Sequence, residues 1–184
     1  ILNWHASASF SALDGAATTP SAAGWSRTST SNGHEEFPRT DPAVICLVHD
    51  GADRVLLARA PSWPERRFSV LAGFVEAGES LESCVRREIK EEVGVTVSDI
   101  TYLGSQPWPF PRSVMIGFAA VADPEVPLQF LDGEIAEAHW FDRAEGRGAL
   151  ELGDWASDSP ARLLLPGSIS IARGMLEAWA ANTG

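Results

Sequence analysis

Short apolar runs separated by polar turns occupy the middle of the chain and predict β-strands. Residues 43–48 and 54–59 are predicted to be two strands, because a five-residue turn rich in Asp and Gly joins them. Later apolar runs predict further strands at residues 68–74, 95–103, 114–121 and 138–141.

Apolar residues at helical spacing predict two helices. They recur every fourth position from residue 81 to residue 89, after Ser80, which suits an N-cap, and before Gly94, which is placed to end the helix. A second helix is predicted at residues 168–180, where four apolar side chains share one side. Strands around a central helix, with a closing helix, predict a mixed α/β sandwich, an α/β (α+β) fold.

Two segments follow neither pattern. Residues 6–32 are rich in Ser, Ala, Thr and Gly and contain few large apolar residues, so they are predicted to form a loop or a weakly structured lobe. Residues 146–160 show no clear period and are predicted to be a polar connection.

Length, charge and cysteine content narrow the class of protein. The 184 residues suit one domain with a sizeable core plus an appendage, and the first residue, Ile1, indicates a piece of a longer protein. The net charge of −11 argues against broad electrostatic attraction to nucleic acid. We predict no membrane partner, because no apolar run could span a bilayer and no signal peptide opens the chain. Cys46 and Cys84 are predicted to be buried thiols, without a disulfide or zinc.

A group of carboxylates near the end of the first predicted helix is the strongest chemical feature. Glu88, Glu91 and Glu92 lie at positions i, i+3 and i+4, so they share one face of the last turns. Their charges repel one another at the negative end of the helix dipole, which is unfavourable unless a cation binds. Carboxylate oxygens of this kind suit Mg²⁺ or Mn²⁺ shared with a substrate phosphate. Taken alone, such a turn is more often a solvated helix face.

These carboxylates belong to a longer pattern of seven fixed residues, here called the box. Its fixed residues are Gly73, Glu79, Arg87, Glu88, Glu91, Glu92 and Gly94. Seven identities at fixed spacing have a chance frequency on the order of 10⁻⁸ per start position. The box closely resembles the signature of the Nudix hydrolases, G-x5-E-x7-R-E-U-x-E-E-x-G-U, in which U is aliphatic.

A second motif follows the box and alternates three prolines with two aromatic residues, Ser-Gln-Pro-Trp-Pro-Phe-Pro-Arg-Ser. Proline removes a backbone donor and fixes φ, so the segment is predicted to be a stiff loop and not a central strand. Trp108 and Phe110 are placed to form flat apolar walls of a nucleotide pocket. Polar contacts would come from Gln106, Arg112 and Ser113. A structural crossover that packs its aromatics into the core is an equally weighted alternative.

The second motif is similar to the array that marks NADH pyrophosphatases within the Nudix hydrolases, a branch that includes enzymes removing NAD caps from RNA. The resemblance implies a Nudix-type α/β/α sandwich with a mixed sheet. It implies metal-dependent hydrolysis of NADH, and more weakly of NAD⁺, to nicotinamide mononucleotide and AMP, with Mg²⁺ or Mn²⁺ as the cofactor. NAD-capped RNA 5′ ends are a further implied substrate, and a cytoplasmic homodimer is implied as the form of the enzyme.

The resemblance also assigns roles to residues of the metal centre. Glu91 and Glu92 are the implied catalytic residues, and Glu91 is either a third metal ligand or the base. The family adds a backbone carbonyl and a carboxylate from outside the box, for which Glu134 is the aligned residue and Glu137 the second choice. The implied metal ligands are Ala72, Glu88, Glu91, Glu92 and Glu134.

Substrate-binding residues are implied at three places in the chain. Phe74 follows the box glycine and is placed to stack on a base or nicotinamide, and Ala172 matches a substrate-lining position in the late helix. The full implied set is Phe74, Gln106, Pro107, Trp108, Pro109, Phe110, Pro111, Arg112, Ser113 and Ala172.

Two departures from the family pattern lie near the N-terminus. Family members carry a zinc ribbon, and the positions of its thiolates are occupied here by Ser11, Asp14, Ser29 and Asn32. These side chains cannot supply the sulfur ligands that Zn²⁺ needs, so we predict no zinc. We predict a degenerate zinc-ribbon remnant at residues 1–38 and a Nudix hydrolase domain at residues 39–184. The domain that precedes the ribbon in the family is expected to be missing.

Two other functions are open from the sequence. One is hydrolysis of another nucleoside diphosphate derivative, such as ADP-ribose, and the other is a sensor that binds a dinucleotide without cleaving it. A sensor would be expected to lose carboxylates of the box, whereas all of them are present. NADH would raise the thermal stability of a sensor without the release of a product.

Overall fold

The computed structural model describes residues 1–131 and 133–182, and the chain folds into two compact units. One unit contains Ile1–Asp41 together with Pro109–Ser113, and the other contains Pro42–Trp108 together with Val114–Gly184. The sequence predicts a boundary between residues 38 and 39. It does not predict that residues 109–113 belong to the first unit. Contacts between distant segments leave no local pattern in a sequence.

The first unit contains one short helix and three short strands. They are α1 (Leu2–Ser7), β1 (Thr18–Pro20), β2 (Arg27–Ser29) and β3 (Glu35–Glu36). The strands pair antiparallel in the order β1-β2-β3. Residues 6–32 are predicted from the sequence to be a loop or a weakly structured lobe, and the loop alternative is wrong where β1 and β2 form. Strands of three residues are too short to show a two-residue period.

A buried arginine connects the elements of this small unit. Arg27 is only 8% exposed, and it donates from Nε to Thr18 Oγ1 at 2.7 Å and from Nη2 to Thr18 O at 2.8 Å. Its Nη1 lies 3.3 Å from Nδ1 of His5 in α1. These acceptors offset the cost of removing the guanidinium from water, so Arg27 joins β1, β2 and α1.

Two similar turns in the first unit carry Ser11, Asp14, Ser29 and Asn32, the four positions that the resemblance aligns with the thiolates of a zinc ribbon. The N–H of Gly15 donates to the carbonyl of Ser11 at 2.9 Å, and the N–H of Gly33 donates to the carbonyl of Ser29 at 3.1 Å. Gly15 and Gly33 have φ values of +73° and +74°, which glycine adopts without strain. The backbone thus forms two equivalent turns from different sequences.

The Asp14 carboxylate connects these two turns. Its Oδ2 accepts hydrogen bonds from Ser31 Oγ and, at 2.9 Å, from Asn32 Nδ2, while Oδ1 accepts from the Ala16 N–H at 3.0 Å. The Ser31 hydrogen bond is the main cause that lowers the pKa of Asp14, so the carboxylate stays charged. Hydrogen bonds join the turns at the place where a zinc ribbon uses sulfur ligands.

We expect the purified protein to contain no stoichiometric zinc, and elemental analysis measures this directly. One zinc per chain would contradict the expectation. Asp14→Ala is expected to loosen the two turns, because it removes the acceptor of Ser31 and Asn32. Faster amide hydrogen exchange at residues 29–33 is the readout. Asp123→Ala is the matched control, because Asp123 likewise caps a turn by accepting from the Glu125 N–H.

The remaining elements build a six-stranded sheet with helices on both sides. They are β4 (Asp41–His49), β5 (Arg54–Arg59), β6 (Leu71–Phe74), α2 (Leu81–Val93), β7 (Ser98–Trp108), β8 (Ser113–Val121), β9 (Glu137–Asp142), α3 (Arg143–Glu151) and α4 (Ile171–Ala181). The strand order is β7-β8-β4-β5-β9, and β6 also pairs with β4. Within the part of the chain that the structure describes, no helix has the length and apolar character to cross a bilayer.

Strand β4 is buried on both faces and separates two cores. Val44, Cys46 and Val48 pack in the core that contains the buried side of α2. Ile45 and Leu47 pack in the core that contains the buried residues of α3 and α4. Alternate residues of a strand point to opposite faces, so one strand supplies both cores. The predicted α/β/α sandwich is confirmed.

Helix α2 begins and ends at the predicted residues. Ser80 Oγ accepts a hydrogen bond from the Ser83 N–H at 3.2 Å, as an N-cap does. Gly94 has a φ of +78°, and its N–H donates to the Lys90 carbonyl at 3.1 Å. These caps fix the last two turns, which carry the carboxylates of the box.

Both cysteines are buried free thiols, as predicted. Cys46 lies in β4 and Cys84 lies in α2. Burial is the main cause that raises the pKa of each thiol to about 12. Both are therefore protonated at neutral pH and are poor nucleophiles.

The loop predicted for the proline-aromatic motif is wrong in its first half. Strand β7 continues to Trp108, and only residues 109–112 form turns. β7 is an edge strand, where a proline such as Pro107 does not remove a required hydrogen bond of the sheet. The expectation that the motif is not a central strand is confirmed.

The polar connection predicted at residues 146–160 contains most of a helix. Helix α3 starts with a capping box, in which Asp142 accepts from the Glu145 N–H at 2.8 Å and Glu145 accepts from the Asp142 N–H at 3.1 Å. Glycines within the helix obscure the apolar period. The Asp-x-x-Glu spacing is the sequence signal that predicts this helix start.

Two glycines of α3 form a matched pair that tests its packing. A Cβ at position 148 meets no atom within 4 Å, so Gly148→Ala is expected to stabilise the protein by ~0.5–1 kcal/mol through helix propensity. A Cβ at position 146 would lie 3.0 Å from Cζ3 of Trp179, so Gly146→Ala is expected to be less stable than Gly148→Ala. Urea unfolding measures both, and equal stabilities would contradict the close packing.

Candidate active site

The Glu88 carboxylate lies directly against the backbone of β6. A Cβ on Gly73 would lie 1.9 Å from Cδ of Glu88 and 2.1 Å from each of its carboxylate oxygens. Only glycine leaves room for this contact, because real Cβ atoms do not approach so closely. The fixed glycine of the box therefore has a physical reason, which is to admit a carboxylate from α2 to the edge of the sheet. Ala72, the predicted carbonyl ligand, is its neighbour in β6.

The Arg87 guanidinium connects the box residues to one another. It donates from Nε and Nη2 to the two oxygens of Glu79, each at 2.9 Å, and so forms an ion pair with it. It also donates from Nη1 to Glu88 at 2.9 Å and to Glu91 at 3.0 Å. These last two bonds are not predicted from the sequence, although the i, i+4 spacing of Arg87 and Glu91 is a signal for one of them.

Glu134, which lies outside the box, interacts electrostatically with Glu88. Burial raises the pKa of Glu88, and repulsion from Glu91 and Glu134 adds to the effect, whereas Arg87 opposes it. Glu134 is therefore within electrostatic range of Glu88, although it lies far along the chain. Glu92 belongs to the same helix end and is only 5% exposed.

Backbone hydrogen bonds fix the segment that carries Glu134. The Gln129 N–H donates to the Val93 carbonyl at the end of α2 at 3.0 Å, and the Ala136 N–H donates to the Arg59 carbonyl at 2.9 Å. Glu137, the second choice for the outside ligand, accepts instead from Arg59 Nε at 2.8 Å. Glu137 therefore forms an ion pair with Arg59 of the neighbouring strand.

The donor set fits a hard divalent ion. Carboxylate oxygens that repel one another, beside a glycine cradle that a Cβ would fill, match the preference of Mg²⁺ or Mn²⁺ for oxygen ligands. Among residues 1–131 and 133–182, no group of three or more His, Cys, Asp or Glu side chains already has the arrangement of metal ligands. Arg87 Nη1 bonds two of the predicted ligands, Glu88 and Glu91.

Gln106, a predicted substrate-binding residue, forms hydrogen bonds with the backbone at the start of α4. Its Nε2 donates to the Ile169 carbonyl at 3.0 Å, and its Oε1 accepts from the Ile171 N–H at 2.7 Å. Next to it, a cavity of about 410 Å³ is lined by β7 and α4, including Leu103, Gln106 and Met175. Its volume is within the range typical of small-molecule sites.

The other predicted substrate residues have varied surroundings. Phe74 is 61% exposed, as a stacking residue requires, whereas Ala172 is 1% exposed in the core. In the first unit Phe110 is 68% exposed, and Arg112 Nε donates to Asp41 at 2.8 Å. Trp108 ends β7, Pro109 and Pro111 lie in the turn, and Ser113 begins β8.

Comparison with protein families decides the class of this site. A model of the NUDIX domain matches residues 39–163, which include every residue of the box. The chain belongs to the NUDIX family. The caps of α2 and the cradle at Gly73 are thus features of a NUDIX box.

Curated NUDIX relatives extend the likeness to the N-terminal residues. The chain is 68% identical over 181 residues to "NAD-capped RNA hydrolase NudC" of Mycobacterium bovis (strain BCG / Pasteur 1173P2), which is 98% of this chain and 58% of the relative. A protein of the same name from Pseudomonas aeruginosa (strain LESB58) is 52% identical over 111 residues, which is 59% of this chain and 38% of the relative. The chain therefore spans little more than half the length of the mycobacterial relative.

Solved structures agree on the NUDIX fold. A NUDIX hydrolase from Nitrosomonas europaea has a TM-score of 0.61 and 20% sequence identity, over 72% of this chain and 77% of that one. At this identity the likeness concerns the fold alone. It is consistent with the sandwich of sheet and helices described above.

Proposed function

We propose that the chain is the catalytic part of a metal-dependent pyrophosphatase that hydrolyses NADH, and more weakly NAD⁺, to nicotinamide mononucleotide and AMP. The observation that carries the proposal is the Glu88 carboxylate seated on Gly73, with Glu91 and Glu134 within electrostatic range. Relatives named as NAD-capped RNA hydrolases, at 68% identity, support the choice of substrate.

The proposed metal ligands are the carboxylates of Glu88, Glu91, Glu92 and Glu134 and the carbonyl of Ala72. A divalent ion bound there would neutralise the pyrophosphate oxygens and lower the pKa of an attacking water. Glu92, or alternatively Glu91, takes the proton from that water. Arg87 and Glu79 hold the box turn against the helix, through two hydrogen bonds of 2.9 Å.

The proposed substrate residues of the second unit are Phe74, Gln106, Pro107, Trp108 and Ala172. The exposed ring of Phe74 is suited to stack on the nicotinamide or on a base. Gln106 holds the start of α4, where Ala172 lies, by two hydrogen bonds to the backbone. Pro109, Phe110, Pro111, Arg112 and Ser113, which belong to the first unit, are separately proposed to contact substrate.

Product analysis tests the proposal. The protein is incubated with Mn²⁺ and with NADH, NAD⁺ or ADP-ribose in parallel, and the products are separated by chromatography. We expect nicotinamide mononucleotide and AMP from NADH. Cleavage of ADP-ribose with NADH left intact would assign a different NUDIX substrate, and thermal stabilisation by NADH without any product would indicate a sensor.

NAD-capped RNA is the second proposed substrate. An oligonucleotide with a 5′ NAD cap is expected to yield a 5′-monophosphate end and nicotinamide mononucleotide. We also propose a cytoplasmic homodimer, and light scattering after size exclusion measures the oligomeric state. A monomer that retains full activity would contradict the dimer without affecting the assignment of the reaction.

A further inference from the structure

The Arg87 guanidinium has two edges with different partners. On one edge, Nε and Nη2 each donate to one oxygen of Glu79 at 2.9 Å, and Nη2 also donates to the Phe74 carbonyl at 3.0 Å. On the other edge, Nη1 alone donates to Glu88 at 2.9 Å and to Glu91 at 3.0 Å. The first edge forms a two-point pair with one carboxylate, whereas the second is shared between two carboxylates.

Burial differs between the two edges as well. The side chains of Arg87, Glu79 and Glu88 are 23%, 13% and 13% exposed, whereas that of Glu91 is 53% exposed. A solvent-exposed ion pair contributes little to stability, because water and salt screen it. The contact between Nη1 and Glu91 is therefore the weakest of the set, and it is the one most exposed to solvent.

The formal charges of these side chains also distinguish the Glu79 edge of Arg87 from the edge that contacts Glu88 and Glu91. Arg87 and Glu79 form a neutral pair, and the two carboxylates of Glu88 and Glu91 then share one Nη1 amino group, which has one N–H for each. A divalent ion carries the charge that these two carboxylates need. A carboxylate lone pair that accepts a hydrogen bond from Nη1 cannot bind a metal ion at the same time.

We propose that Arg87 is an exchangeable counter-cation, whose Nη1 holds the Glu88 and Glu91 carboxylates in the metal-free protein and releases them when a divalent ion binds. Nε and Nη2 stay on Glu79 throughout. Arg87 is a positioning residue in this scheme, and it opposes metal binding while it keeps the ligands near their places. The proposal rests on the metal requirement proposed above, but its test measures metal affinity and not turnover.

Replacement of Arg87 by lysine tests the exchange. A single ammonium can pair with Glu79 but cannot also bridge Glu88 and Glu91, so the competitor of the ion is lost. We expect Arg87→Lys to bind Mn²⁺ about threefold to tenfold more tightly than the wild type, the equivalent of one net hydrogen bond. Calorimetry, or electron paramagnetic resonance of free Mn²⁺, measures the dissociation constant on the full chain.

Arg86→Lys is the matched control on the same helix. Arg86 is exposed, and its Nη1 donates to the Glu82 carbonyl at 3.2 Å, away from the box carboxylates. Its Mn²⁺ affinity is expected to equal that of the wild type. Unchanged or weaker Mn²⁺ binding by a folded Arg87→Lys protein would overturn the proposal, since an arginine that only supports the fold predicts that outcome.

Glu79→Gln provides a test in the opposite direction. The neutral amide holds the guanidinium less strongly, so the charge of Arg87 is left to Glu88 and Glu91. We expect Mn²⁺ affinity to fall about threefold to tenfold, by the loss of one charged partner. Equal or tighter binding would contradict the exchange.

Nuclear magnetic resonance of the wild type keeps the proposal testable if Arg87→Lys does not fold. Mg²⁺ is added to protein with ¹⁵N-labelled arginine. We expect the Nε–H resonance of Arg87 to stay protected, because Glu79 retains it, while rotation about the Cζ–Nη1 bond becomes faster. An Nη signal that Mg²⁺ leaves unchanged would overturn the exchange. Failure of the wild type to bind Mn²⁺ or Mg²⁺ at all would instead refute the proposed metal requirement.

Discussion

Glu92→Gln is expected to lower kcat for NADH by about 10²- to 10⁴-fold, the range for loss of a general base, and the loss is larger if Glu92 also binds the ion. Glutamine keeps the shape of the side chain but cannot accept a proton or supply a negative oxygen. Initial rates at saturating Mn²⁺ and NADH measure the effect. If Glu92 acts in catalysis, KM should change much less than kcat.

The stability of this variant separates a chemical effect from unfolding. Glu92 is 5% exposed near Glu88 and Glu91, so a neutral amide relieves both desolvation and repulsion. We expect a metal-free Tm equal to or above that of the wild type. Glu82→Gln, in the exposed first turn of α2, is the control and should retain activity. Full activity of Glu92→Gln would move the essential base to another residue.

Gly73→Ala is expected to remove most of the activity and to weaken Mn²⁺ binding. The added Cβ would lie 1.9 Å from Cδ of Glu88, so the carboxylate must swing away from its cradle. The obstructing atoms are the end of a flexible side chain, and the residue does not have a positive φ, so the fold should survive. Mn²⁺ titration and circular dichroism of the same sample measure affinity and folding.

A double-mutant cycle identifies the cause of that loss. If the clash acts through Glu88, then Gly73→Ala should add little to a Glu88→Ala protein, because the obstructed group is already gone. Additive losses would mean that the alanine disturbs β6 itself. Gly148→Ala, where a Cβ meets no atom within 4 Å, is the control for a glycine replacement without a contact.

The sequence predicts the helix that carries the box carboxylates well, because its residues are close together in the chain. Helical spacing places Glu88, Glu91 and Glu92 on one face, and the caps at Ser80 and Gly94 are at the predicted residues. The sequence pattern shows that glycine is required at position 73 of the box. The physical cause of that requirement is the contact of Gly73 with the Glu88 carboxylate, which only the structure shows. Spacing along one helix can be calculated from its period, but a contact between a strand and a helix cannot.

Features that depend on distant contacts could not be predicted from the sequence. The Ala136 bond to Arg59 that anchors the Glu134 segment joins residues far apart in the chain. Helix α3 and the short strands of the first unit carry too few apolar residues to show a period. Position at the edge of the sheet, which lets β7 extend through Pro107, is a property of the assembled sheet.

The Asp14 hydrogen bonds that connect the two N-terminal turns have a practical consequence for experiments with chelators. A domain held by zinc loses its fold in EDTA, so chelation would disturb structure and catalysis together. Here the turns are joined by Ser31 and Asn32 side chains bonded to a carboxylate. Titration with EDTA should therefore report on the proposed metal-binding carboxylates alone, while the first unit keeps its backbone arrangement.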